Sequence, residues 1–129
     1  MPTVPDSHRD LVAAPLVASL ATLGGDRTPQ VTAVWFVADG DTVKFSLVTA
    51  RQKYKNIVAR PRATLFIIDP KNPFRTLEIR GTVEVSEDSD LELFAQVFRH
   101  YGLDPDTSPA PREGRVAVSL RPTRVVAQG

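Results

Sequence analysis

The sequence predicts a mainly β fold, a barrel of about seven strands with helices on its periphery. Three observations lead there. Seven short segments rich in β-branched and aromatic residues follow one another between turn signals. Only three segments show helical spacing. And residues 31–37 are apolar on both faces, as a strand must be when covered twice, in a barrel with an interface against it.

Taken in order, Asp6 or Ser7 is expected to cap a short helix through Leu11 and Val12 that stops before Pro15. Leu16 to Leu23 is a first strand closing in the turn Gly24-Gly25-Asp26. Val31 to Val37 is a second, ending at the hairpin signal Asp39-Gly40, and Val43 to Val48 is a third. Residues 50–60 switch to helical spacing, with Tyr54, Ile57 and Val58 on one stripe and Pro61 as a stop. Ala63 to Asp69 is a strand, and the turn Pro70-Lys71-Asn72-Pro73 leads to another over Thr76 to Val85. There Leu77, Ile79, Val83 and Val85 alternate with Thr76, Glu78, Arg80, Thr82 and Glu84, which implies one wetter face. Residues 87–101 carry Leu91, Phe94, Ala95, Phe98 and Tyr101 at helical spacing. The first turn is acidic and the last basic, as the helix dipole favours. A proline-rich loop over 104–113 precedes two closing strands, Val116 to Leu120 and Thr123 to Ala127. No repeat and no long linker interrupts this order, so residues 1–129 read as one domain.

Bulk chemistry excludes several functions. Sixteen basic side chains against 15 acidic ones give a net charge of +1, too balanced to draw the chain onto nucleic acid or an anionic membrane. With no cysteine there is no disulfide, thiolate nucleophile, iron–sulfur cluster or cysteine-based zinc site. The N-terminal segment has no signal-peptide pattern and no stretch is apolar enough for a membrane helix, so a soluble, cytoplasmic protein is expected. His8 and His100 lack ligand spacing and are expected at the surface or at a cap. Glu87, Asp88, Asp90 and Glu92 are expected to be a solvated first turn, with no metal site.

One segment runs against electrostatics. Thr49-Ala50-Arg51-Gln52 fits a capping box, yet the helix it opens carries Arg51, Lys53 and Lys55 in its first turns. From Arg51 to Arg62 there are five basic residues and no acidic one. Cations there oppose the positive end of the helix dipole, at about 0.3–1 kcal/mol each when exposed. A phosphate at the helix start reverses the sign: Arg51 forks onto it, Lys53 adds a point charge, and Asn56 lies about one turn on. Spacing alone leaves a second reading open, a solvated basic face with no ligand.

Four blocks carry a resemblance at matching order and spacing. They are Pro29-Gln30-Val31-Thr32-Ala33-Val34-Trp35-Phe36, Asp39-Gly40-Asp41, Thr49-Ala50-Arg51-Gln52-Lys53-Tyr54-Lys55-Asn56-Ile57 and Arg60-Pro61-Arg62-Ala63-Thr64-Leu65. Together they resemble the pyridoxamine 5′-phosphate oxidase-like superfamily of FMN-binding split barrels, and within it the branch of reductases that use the deazaflavin coenzyme F420. The resemblance implies a split β-barrel and a homodimer with cofactor sites at the interface. It implies ring contacts from Thr32, Ala33, Val34 and Trp35, a phosphate grip from Arg51, Lys53 and Asn56, and a further polar ring contact from Thr76. Arg60 and Arg62 are left between the coenzyme's acidic tail and plain solvated surface. The segment with which pyridoxamine phosphate oxidases grip their substrate phosphate has no counterpart before Gly129, which argues against that activity. The implied activity is hydride transfer from reduced F420 to an electron-poor unsaturated small molecule, with no catalytic side chain assigned. An FMN-binding oxidase or electron carrier, and a non-enzymatic cofactor or tetrapyrrole binder, are the alternatives.

Overall fold

A computed structural model describes residues 2–129. Its centre is a sheet of seven antiparallel strands: β1 (Ala18–Leu23), β2 (Pro29–Val34), β3 (Val37–Asp39), β4 (Thr42–Val48), β5 (Arg62–Asp69), β6 (Asn72–Glu87) and β7 (Arg115–Gln128). The strands lie in the order β2-β1-β5-β6-β7-β4-β3. Three helices flank it: α1 (Arg9–Ala13), α2 (Gln52–Ala59) and α3 (Glu92–His100). This is the mainly β split barrel that the sequence predicts.

Alternation builds the interior. In β4 Val43, Phe45 and Leu47 point inward, and in β6 Leu77, Ile79 and Val83 do. With Leu20, Leu65 and Leu120 they form one buried core, each large side chain worth about 1.5–3 kcal/mol relative to exposure.

The strand count matches expectation, but the boundaries do not. The segment 31–37 is broken at Trp35-Phe36 into β2 and β3, which sit at opposite edges of the sheet. Conversely, the two expected closing strands are one, β7, whose pairing with β6 shifts register between Arg80 and Gly81. Pro122 falls at that irregularity, opposite Gly81, a place where a strand tolerates proline.

The helix expected over 87–101 begins only at Glu92, because β6 runs on to Glu87. Asp88 is not solvated: it is 4% exposed and accepts the Leu93 and Phe94 N–H groups at 3.0 and 2.9 Å. Those bonds cap α3 from outside the helix and hold Leu91 at a left-handed φ of 60°. Asp88→Ala is expected to cost about 1–3 kcal/mol, because it strands two buried donors. A thermal melt measures this. The buried stripe of α3 is Leu93, Phe94 and Val97, shifted from the expected one.

His8 is likewise buried. Its Nε2–H donates to the Gln128 carbonyl (2.8 Å) and its Nδ1 meets the Ser7 hydroxyl (2.8 Å), which docks the N-terminal turn on β7. Arg75 adds a second tie to Asp10 and Asp69. Neither Asp6 nor Ser7 caps the turn it begins. Among the described residues no helix is long and apolar enough to cross a membrane, and no cluster of potential metal ligands occurs.

Candidate cofactor site

A cavity of about 500 Å³ opens where β2, β4, the start of α2, the face of α3 and the 104–113 loop meet. Ala33 and Val34 line it from β2, with Trp35 just after them, Leu47 and Val48 from β4, and Arg51 and Lys53 from the start of α2. The volume lies in the range of small-molecule sites, with apolar walls and a few convergent polar groups.

The expected capping box does not form. Thr49 packs against Gly114 and takes its carbonyl through the main chain (3.0 Å), Arg51 becomes the N-cap residue, and the Gln52 amide turns to Asn56 Oδ1 (2.9 Å). No side chain caps α2, so its first N–H groups are left for solvent or a ligand.

Lys53 is 7% exposed and its ammonium makes one hydrogen bond, to Thr32 Oγ1 at 3.2 Å. Among the described residues no carboxylate pairs with it or with Arg51. Burial, and then the Arg51 charge, push the Lys53 pKa below the usual lysine value. A buried ammonium with one neutral partner is expensive. An anion between Lys53 and Arg51 removes that cost.

Trp35 is both core and wall. One face stacks on Tyr101 (centroids 4.6 Å apart, planes 7° apart), and its edge meets Phe98 at 5.5 Å. The Tyr101 hydroxyl accepts the Phe36 N–H at 3.0 Å and donates to the Leu16 carbonyl, replacing ladder partners at the strand break. Burial raises the Tyr101 pKa, so the hydroxyl keeps its proton. Tyr101→Phe leaves that N–H and that carbonyl unpaired, an expected loss of about 1–3 kcal/mol readable by denaturant unfolding.

Of the residues singled out in the sequence, Ala33, Val34, Trp35, Arg51 and Lys53 come together at the cavity, with Thr32 behind Lys53. Asn56 does not join them. It is 1% exposed, and its two N–H donors are taken by Thr22 Oγ1 (3.1 Å) and Gln30 Oε1 (3.2 Å). It ties α2 to β1 and β2 instead. Thr76 also lies elsewhere in the chain, on β6 opposite Ile68 and Gln128. Its strand position shares the outward sheet face of Phe66, Ser19 and Ala33. Arg60 donates to the Leu23 carbonyl (2.8 Å) and Arg62 is exposed.

The model of the pyridoxamine 5′-phosphate oxidase family matches residues 4–129. The chain belongs to that family. Among solved structures, an F420 reductase is 39% identical, with a TM-score of 0.87 over 95% of this chain and 98% of that one. This places the chain on the F420-reductase branch of the oxidase-like superfamily. A conserved hypothetical protein from Mycobacterium tuberculosis is 21% identical (TM-score 0.78, 98% and 85% covered). The heme storage protein of Vibrio cholerae is 16% identical (TM-score 0.71, 99% and 96% covered). These two show the shared fold alone. No curated protein matches.

For a member of the oxidase-like superfamily, the cavity fits a flavin-like cofactor. Apolar walls suit a planar ring, and the undercompensated Lys53 with Arg51 suits its phosphate. The oxidase-family barrel supplies a third cation that sequence reasoning missed. Arg115, first residue of β7, lines the cavity with its Nε on the Pro111 carbonyl (2.7 Å), an Nη on Ser46 Oγ (3.3 Å), and its guanidinium 4.7 Å above the Phe94 ring. Burial lowers its pKa, and the charge of Asp88 opposes that shift. No local pattern announces Arg115, because the barrel alone brings it within reach of residues some 60 positions earlier.

Proposed function

We propose that this chain is an F420-dependent reductase that passes a hydride to an electron-poor, unsaturated small molecule. The observation that carries the reading is the buried Lys53 ammonium, set beside Arg51 at an uncapped helix start and lacking an anionic partner. Likeness over nearly the whole length to an F420 reductase supports the choice of cofactor.

When bound, reduced F420 supplies the hydride from its ring. The chain's own residues bind and orient. Arg51, Lys53 and Arg115 take the phosphate end. Ala33, Val34 and Trp35 form the wall along which the ring lies, and the stack of Trp35 on Tyr101 keeps that wall rigid. Among the described residues no carboxylate, imidazole or phenol lines the cavity, and the Tyr101 hydroxyl is committed to the main chain. In this reading no side chain is assigned as proton donor, and solvent is the proposed source of the proton that completes the reduction.

The working form in this reading is a homodimer. The outward face of β2, β1, β5 and β6 exposes Val31 (63%) and Ile68 (48%) and runs continuously from Ala33 at the cavity to Thr76. A second copy on that face encloses the open side of the cavity and gives Thr76 its route to the ring. Val31→Glu is expected to shift the protein to monomer in light scattering and to lower F420 affinity with it.

The deciding experiment is a titration of the purified protein with F420 and FMN side by side, followed by oxidation of reduced F420 with activated alkenes. Tighter binding of F420 and turnover are expected. FMN retained through purification, with no F420 binding, would transfer the site to the FMN-dependent alternative.

A further inference from the structure

A second cavity of about 490 Å³ adjoins the first and shares Phe98 and Ala110 with it; Leu103, Thr107 and Pro109 complete its apolar lining. The loop that forms it is held by its own hydrogen bonds. Asp104 Oδ1 accepts the Asp106 N–H (2.9 Å), Ser108 Oγ accepts the Ala110 N–H (3.1 Å), and the Thr107 hydroxyl donates to the Asp104 carbonyl (3.3 Å). Arg112 clamps the loop from behind through the Ser108 and Pro105 carbonyls, with its guanidinium 5.5 Å over the Phe94 ring. The pocket is therefore preformed, and much of the loop's polarity is spent on its own shape.

Charge divides the two cavities. The first is lined by Arg51, Lys53 and Arg115. The second has the Asp104 carboxylate on its rim, with exposed Asp106 two residues on, and no cation in its lining. A carboxylate meets three cationic side chains in the first cavity and the Asp104 carboxylate in the second, where the nearby Arg112 guanidinium is engaged by loop carbonyls.

We infer that the second cavity receives the uncharged, apolar arm of the small-molecule substrate and discriminates against arms that carry a carboxylate. The assignment to a substrate rests on the reductase reading; the preference for a neutral apolar group does not. Phe98 and Ala110, common to both cavities, set the passage through which that arm reaches the reacting end.

Two near-isosteric probes test this, 2-acetylnaphthalene (neutral) and 2-naphthoate (anionic). Both are read by quenching of Trp35, the chain's single tryptophan, which meets Phe98. The ketone is expected to bind saturably. It loses about tenfold in affinity in Thr107→Phe, which fills the pocket, and in Leu103→Glu, which charges it. The carboxylate is expected to behave oppositely, sensitive to Lys53→Ala and indifferent to Thr107→Phe. Absence of ketone binding, ketone binding untouched by both loop variants, or equal loss of both probes in Thr107→Phe would overturn the inference. F420 titration of the same variants reads the reductase proposal separately: if F420 fails to bind while the probe pattern holds, the pocket stands and the reaction falls.

Discussion

Lys53→Met is expected to weaken F420 binding by about 1.5–3 kcal/mol, roughly ten- to a hundredfold in Kd, while leaving the free protein as stable as before or more so. The opposed signs are the point. A lysine that only supports the fold loses both when replaced. A buried cation awaiting an anion costs the empty protein desolvation, which a methionine of similar length avoids. The pH dependence follows from the same burial. The Lys53 pKa lies below the ordinary lysine value, so its charge, and the affinity it supports, fade at a lower pH than a solvated lysine would allow. Calorimetric titrations across the alkaline range should show that early loss in the wild type and its absence in Lys53→Met. Equal affinity of the two proteins for F420 would remove the phosphate from this helix.

Gly81→Ala should be the most damaging single methyl in the barrel. A Cβ at Gly81 would stand 2.0 Å from the Arg121 carbonyl oxygen and 2.8 Å from its carbon, backbone atoms that no rotamer change can move aside. The β6–β7 ladder shifts register at this point, with Arg80 opposite Arg124 but Gly81 opposite Pro122. The two strands must separate there to admit a side chain. Overpacking of this kind costs about 3 kcal/mol, at the upper end of its usual range. That corresponds to a fall in Tm of about 10 °C for a chain of this size. A variant melting within a degree or two of wild type would mean that the strands yield more easily than this spacing implies.

What the sequence made legible was local chemistry. Alternation at Leu77, Ile79 and Val83 foretold which face of β6 is buried, and Pro61 foretold the end of α2. What it hid was supplied from a distance. The apolar run 31–37 gave no sign of its break, because the group that accepts the Phe36 N–H is the Tyr101 hydroxyl, 65 residues on. Asp88 looked like part of a helix because its acidity suits a first turn. Only the length of β6 places it before α3, where it caps from outside. The site shows the same division. Arg51 and Lys53 stood out because they violate a local electrostatic preference. Asn56 shared their helix but has its amide spent on Thr22 and Gln30, and Arg115 had no local anomaly to betray it.

Among the described residues the strand β2 pairs with β1 on one side and with no strand on the other, and Ala33 and Val34 of that edge strand line the cavity. Whatever lies there faces peptide N–H and C=O groups that no neighbouring strand has claimed. Main-chain atoms there add to what the cavity's side chains recognise. A proline at a position whose N–H points to that margin deletes a donor that no substitution elsewhere can restore.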